Sequence, residues 1–111
     1  MPDCICMTPP FHGADFESRD VGVDESNGRF GQVTLETCIK CKRKWLRYSV
    51  EYEAFTGSGR WYRGLVPDEI AKSVTPEIAV KILASLDWLF VGGSYFQTAG
   101  LKSSGSVLVD L

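Results

Sequence analysis

The sequence predicts an α+β fold, in which one main helix packs on a small antiparallel β-meander. Runs in which apolar and polar residues alternate, the pattern of strands, occur between residues 29 and 66. The period then changes to a single apolar stripe at helical spacing. A length of 111 residues, with 44% hydrophobic and 23% charged residues, is typical of one globular domain. We therefore expect a single domain, 1–111, with the meander in 1–66 and the helix and a C-terminal segment in 67–111.

Three strands are expected in the meander. Apolar and polar side chains alternate in residues 29–37 and 44–55. Residues 60–66, which follow a turn rich in glycine, supply the third strand. Short turns, one of them the segment from Cys38 to Cys41, separate these strands. The preceding segment 13–28 is rich in Asp, Glu, Ser and Gly, and we expect a solvated loop there, or a long hairpin arm with a short strand from Asp20 to Asp24. Its acidic side chains could instead form a surface for a basic partner.

The main helix is expected after Thr75, which suits the N-cap, while Pro76 suits the first helical position. The apolar stripe at helical spacing consists of Ile78, Ile82, Leu86 and Leu89. Gly92 and its neighbouring glycine should end the helix. The sheet face that it should cover carries Leu46, Tyr48, Val50 and Tyr52. A short helical turn at 67–72 and an edge strand at 107–109 complete the prediction.

The four cysteines form two close pairs, Cys4 with Cys6 and Cys38 with Cys41. Tetrahedral Zn²⁺ takes four ligands, with sulfur at about 2.3 Å, and a close pair can bind one ion from a single turn. A disulfide would instead have to join one pair to the other. Because the N-terminus lacks the basic and apolar regions of a signal peptide, a reducing, cytoplasmic setting is expected, where paired cysteines favour metal. The spacing predicts a structural Zn²⁺ that staples the meander, with iron, disulfides and redox thiols as alternatives.

Catalytic interpretations of the cysteines fit less well. A thiol oxidoreductase places Cys-x-x-Cys at the start of a helix, whereas the residues after Cys41 alternate as a strand does. The two motifs of a zinc deaminase do not occur around His12 or Cys38. His12 is the only histidine, and it could replace a cysteine at the metal, but it leaves no arrangement for nucleophilic catalysis. We therefore expect a protein that is not an enzyme.

Residues 1–66 resemble a zinc ribbon, a fold in which cysteine knuckles at hairpin turns hold one zinc ion beside a three-stranded sheet. The resemblance implies ligand roles for Cys4, Cys6, Cys38 and Cys41. Zinc ribbons usually carry Cys-x-x-Cys in both knuckles, often with glycine after the second cysteine. This chain has Cys-x-Cys in the first knuckle, and Lys42 follows the second.

Basic residues surround the second knuckle, namely Lys40, Lys42, Arg43, Lys44 and Arg47. They either offset the negative charge of a four-thiolate zinc ion or contact nucleic-acid phosphates, with Trp45 and Trp61 stacking on bases. The net charge of −2 argues against nucleic acid as the main partner. The aromatic residues Trp61, Tyr62, Tyr95 and Phe96 belong either to the core or to a protein-binding surface.

Together these patterns predict a small, non-enzymatic zinc-binding protein that acts through protein–protein interaction. A compact acidic domain of this size is typical of toxin-neutralising immunity proteins and small inhibitors. A nucleic-acid-binding zinc-ribbon module is the alternative. The chain has no apolar run of ~18 residues, so no membrane span is expected.

Overall fold

The computed structural model describes residues 6, 13–25, 31–50, 59–93 and 98–103. Within these ranges the chain forms a six-stranded antiparallel sheet, whose strands lie side by side in sequence order. The strands are β1 (Phe16–Asp24), β2 (Gly31–Cys38), β3 (Lys44–Val50), β4 (Arg60–Val66), β5 (Leu89–Gly93) and β6 (Thr98–Ser103). Between β4 and β5 lie the helices α1 (Asp68–Ser73) and α2 (Ala79–Ser85), and single 3₁₀ turns occupy Gly13–Asp15 and Pro76–Ile78. Neither helix is long and apolar enough to cross a membrane.

The predicted α+β class with one main helix is wrong, because the described chain is mainly β. Helix α2 spans only seven residues and ends at Ser85. Leu89, which the helical stripe included, begins β5 instead. A short apolar run fits a helix and a buried strand equally well by periodicity alone. The aromatic and β-branched residues from Trp88 to Val91 favour the strand.

Of the two predictions for 13–28, the solvated loop is wrong over most of its length, whereas a hairpin arm that contains a strand is what the structure shows. Residues Phe16–Asp24 form the nine-residue strand β1, which pairs only with β2 among the described strands. The side chains from Glu17 to Asp20 are exposed. Charged, exposed side chains are common on a strand at the edge of a sheet, and they hide the alternation that marks a half-buried strand. The predicted edge strand at 107–109 lies outside the described residues.

One face of the sheet and the two helices enclose the helix-side core. Leu46 and Tyr48 of β3 are wholly buried there against Ala79 and Leu83 of α2. The short helix therefore lies on the face of β3 that the sequence indicated, although Tyr52 falls outside the described part of the chain. The Tyr48 hydroxyl donates a hydrogen bond of 2.7 Å to Oδ2 of the buried Asp24, which gives that carboxylate a partner.

The opposite face of the sheet carries a second apolar group, the thiol-side cluster. Its buried members are Cys6, Phe16, Cys38, Trp45 and Phe90, and its half-buried members are Cys41, Trp61, Leu65 and Trp88. The rings of Trp45, Trp88 and Phe90 meet with centroid distances of 5.4 to 6.2 Å. Apolar groups therefore cover both faces of the central strands, and three cysteines lie within the thiol-side cluster.

Candidate metal centre

Three of the four cysteines meet at the turn between β2 and β3. The sulfur atoms of Cys6, Cys38 and Cys41 all lie within 4.8 Å of one another, and those of Cys6 and Cys41 are 3.5 Å apart. Tetrahedral zinc bound at about 2.3 Å would separate its sulfurs by about 3.8 Å, whereas disulfide sulfurs lie about 2.05 Å apart. These three thiols are therefore placed to hold a metal ion. Cys4, the other predicted ligand, lies outside the described residues.

Backbone hydrogen bonds fix the turn that carries Cys38 and Cys41. The N–H of Cys38 donates to the carbonyl of Arg43 at 3.0 Å, and the N–H of Lys42 donates to the carbonyl of Cys38 at 2.9 Å. The N–H of Ile39 donates to the carbonyl of Asp15 at 3.0 Å, which ties the turn to the 3₁₀ turn before β1. These backbone hydrogen bonds set the positions of the two thiols of the knuckle.

Lys42 has the backbone conformation that this turn demands. Its φ is 65°, in the left-handed region that favours glycine. This is the position after the second cysteine, where zinc ribbons often carry glycine. The chain therefore adopts a left-handed backbone at this position with a lysine, which is strained there.

Arg43 points toward the thiols. Its Nη1 donates to the sulfur of Cys41 at 3.4 Å. The hydrogen bond to Cys41, and then that to Cys6, raises the pKa of the Arg43 guanidinium. A cation in this position favours the thiolate form of cysteine, which is the form that binds metal. Arg43 is therefore placed to offset the negative charge of a metal–thiolate centre.

A buried ion pair, which the sequence did not indicate, lies beside the thiols. Nη1 of Arg63 in β4 contacts Oε1 of Glu36 in β2, and Arg63 is only 2% exposed. The Arg63 guanidinium carbon lies 4.1 Å from the ring centroid of Phe16 and 5.2 Å from that of Trp45. Burial lowers the pKa of Arg63, and attraction to Glu36 opposes that shift. The sequence predicted a strand at 60–66 but did not indicate that Arg63 would be buried, because a charged residue is rarely buried unless it has a partner.

The remaining basic residues of the knuckle have different surroundings. Lys40 and Lys42 are exposed. Nζ of Lys44 donates to Oγ1 of Thr37 at 3.0 Å, and the guanidinium of Arg47 lies 5.9 Å from the ring centroid of Trp61. Beside the knuckle is an open pocket of about 440 Å³, lined by Lys42, Arg43, Lys44, Leu65, Val66, Pro67 and Asp68.

The predicted aromatic sites are not all at the surface. Trp45, a predicted stacking residue, is wholly buried, and so is Tyr62 in the helix-side core. Trp61 is half-buried, and its indole fills the space that a side chain at Gly92 would need. Tyr95 and Phe96 lie outside the described residues, as does His12.

Fold and site together define a mainly β protein with a three-thiol cluster at one hairpin turn. Comparisons with protein-family models, with curated proteins and with solved structures found no match. The resemblance to zinc ribbons therefore rests on the cysteine pattern alone.

Proposed function

We propose that the protein is a non-enzymatic binding module whose sheet is stapled by one structural Zn²⁺ and which acts through a protein partner. The observation that carries this proposal is the meeting of Cys6 with Cys38 and Cys41. Cys4, two positions before Cys6, would complete four thiolate ligands. Four thiolates leave no coordination position for water or substrate, so the ion would stabilise the fold without doing chemistry.

The position of the thiols explains what a metal would contribute. Cys6 precedes β1, whereas Cys38 ends β2 and Cys41 lies in the turn between β2 and β3. A shared ion would therefore fasten the N-terminal part of the chain to the hairpin. Structural zinc in small domains contributes roughly 10–16 kcal/mol of apparent binding free energy.

Elemental analysis of protein purified under reducing conditions tests the metal. We expect one zinc ion per chain, or iron in its place, since four thiolates suit both metals. Cys38→Ser should lose the metal, while Ser49→Ala, a change in the same hairpin away from the thiols, should keep it. Folded, reduced protein without metal would contradict the proposal, and so would a disulfide between Cys6 and Cys41 in native protein.

A protein partner is supported by the surface of the knuckle. Its tip carries Ile39, a large apolar residue that is 45% exposed, next to the exposed Lys40. An apolar centre with a polar rim is the usual anatomy of a protein interface. Within this class we propose an immunity protein or inhibitor, a role in which a compact acidic domain neutralises one partner.

Affinity capture from the native host, followed by reconstitution with the identified protein, tests the partner. We expect one dominant protein that binds the purified, metal-loaded chain directly. A toxin encoded beside this chain would place it among immunity proteins. Failure of every captured protein to bind in a purified system would remove the proposal.

The alternative, a nucleic-acid-binding module, is favoured by the exposed Lys40 and Lys42 at the knuckle. Binding through phosphates would release counterions, and the affinity would fall steeply with salt. We expect no complex with DNA or RNA tighter than about micromolar at physiological salt, where non-specific binding usually lies. A tighter, salt-sensitive complex that charge reversal of Arg43 and Arg47 abolishes would establish the alternative.

A further inference from the structure

We propose that the pocket beside the thiol cluster binds an acidic segment of the protein partner. The pocket has a volume of about 440 Å³ and lies between the β2–β3 turn and the start of α1. Its lining includes the consecutive cations Lys42, Arg43 and Lys44, with Asp68 as its one acidic residue. This inference rests on the proposed function, from which it takes the existence of a protein partner. It adds the chemistry by which the pocket would recognise that partner.

Two of the three cations are already held in place. Nζ of Lys44 bonds to Oγ1 of Thr37 at 3.0 Å, and Nη1 of Arg43 bonds to the sulfur of Cys41 at 3.4 Å. An ammonium group has three donors and a guanidinium five, so these bonds leave donors for incoming carboxylates. Cations that are fixed before binding lose less conformational entropy when a ligand arrives.

The pocket lining also contains apolar residues. Leu65 and Val66 end β4, and the exposed Pro67 follows them. A ligand that carried only negative charge would leave these apolar residues unused. A peptide in which carboxylates alternate with aliphatic side chains would use both kinds of lining residue, since burial of apolar surface adds to the ionic contacts.

A nucleic acid fits the same pocket less well. None of the seven lining residues is aromatic, and single strands are bound mostly by stacking on aromatic rings. Trp45, the nearest tryptophan in sequence, is wholly buried. The carboxylate of Asp68 would also repel a dense row of phosphates more than it would repel a few carboxylates. The pocket therefore favours an acidic peptide.

Fluorescence anisotropy with a labelled peptide of alternating Glu and Leu tests the site on the metal-loaded protein. Lys42→Glu/Lys44→Glu should weaken binding about tenfold or more, the loss expected when several ionic contacts are reversed. Lys72→Glu/Lys81→Glu, a pair of exposed lysines outside the pocket, changes the net charge equally and should alter binding no more than about twofold. A peptide with Gln for each Glu should bind at least about tenfold more weakly.

Several outcomes would overturn the site. These are no binding of the Glu–Leu peptide, equal weakening by both double variants, or tighter binding of a single-stranded oligonucleotide of similar length. Equal zinc content and circular dichroism of the two variants will show that folding is not the cause. If the pocket variant still binds the native partner with full affinity, this inference fails and the proposed function stands. If the peptide binds but the chain has no protein partner, the proposed function fails and the site stands.

Discussion

Arg63 is a charged side chain that the sheet has withdrawn from water. It contacts Glu36 and is packed against the rings of Phe16 and Trp45. Each member of such a pair depends on the other, because an isolated charge in this place would lack compensation for its lost hydration. Cation–π contact with the rings adds to the stability of the arginine.

Removing Arg63 alone should therefore destabilise the protein strongly. We expect Arg63→Met to lower the free energy of unfolding by about 3–5 kcal/mol, since it leaves the Glu36 carboxylate buried and uncompensated. The double variant Glu36→Leu/Arg63→Met should recover most of this loss, because apolar residues of similar size often replace a buried pair at little cost. Urea unfolding of both variants measures the coupling free energy between Glu36 and Arg63. Arg47→Met, a change at a half-buried arginine, serves as the control. Additive losses would contradict the pairing.

At Lys42, in contrast, a substitution should stabilise the protein. A left-handed backbone costs an L-residue about 1–2 kcal/mol, and glycine avoids this while losing about 0.5–1 kcal/mol more entropy on folding. We expect Lys42→Gly to stabilise the protein by up to about 1 kcal/mol and Lys42→Val to destabilise it. Lys40→Gly, in the same turn but without a positive φ, should destabilise it. Thermal unfolding of the metal-loaded protein measures all three, and a less stable Lys42→Gly variant would show that the turn is not strained.

Strand β5 and its neighbour β4 come into close contact at Gly93. Its φ is 109°, and a Cβ there would lie 2.5 Å from the carbonyl oxygen of Gly59 and 2.8 Å from the Cα of Arg60. Both of these are backbone atoms, so they could move only with β4 itself. We expect Gly93→Ala to cost about 2–4 kcal/mol in unfolding free energy, because backbone strain and overpacking add.

Gly64→Ala is the matched control for Gly93→Ala. A Cβ at Gly64 would meet the side-chain ends of Leu86 at 2.3 Å and Leu83 at 2.8 Å, and such ends can rotate away. Its cost should therefore be the smaller of the two, about 1–2 kcal/mol. Chemical denaturation of both variants decides the order, and a larger loss for Gly64→Ala would refute the explanation.

The central strands of the sheet were predictable, whereas the outer ones were not. Strands β2 and β3 have one clearly apolar face, and their alternation indicates them directly. Strand β4 does not alternate, but its aromatic and aliphatic residues favour a strand. Strand β1 lies at the edge with exposed side chains, and the apolar residues of β5 also match a helical stripe. The meeting of Cys6 with the knuckle followed from the spacing of the cysteines. The pairing of Glu36 with Arg63 could not be predicted in this way. It depends on which strands become neighbours and on the thiol-side cluster that buries the second face of the sheet.

At the scale of the whole molecule, one sheet supports two apolar groups, and the thiols belong to the second. Metal removal should therefore affect the face that contains the buried Trp45. Because structural zinc contributes roughly 10–16 kcal/mol and small domains have total stabilities of about 5–15 kcal/mol, chelation should unfold the sheet.

Tryptophan fluorescence and far-UV circular dichroism during chelation check this expectation. The emission should shift to longer wavelength as Trp45 becomes hydrated, and the β-sheet signal should fall with it. Added zinc should restore both, while magnesium, which prefers oxygen ligands, should not. A metal-free protein that kept its fold but lost a hydrolytic activity would show a catalytic ion and overturn the structural role.

Arg43 belongs to the thiol cluster through Cys41 and to the neighbouring pocket through its position in the lining. A single guanidinium that serves two sites makes their binding equilibria interdependent. An acidic segment that drew Arg43 away from the sulfur would change the affinity for the metal, and the metal would change the affinity for that segment by the same factor. The zinc affinity, measured by equilibrium competition with a chelator, should therefore depend on peptide concentration, and Arg43→Gln should abolish that dependence. The ion in this protein would then report whether the partner is bound.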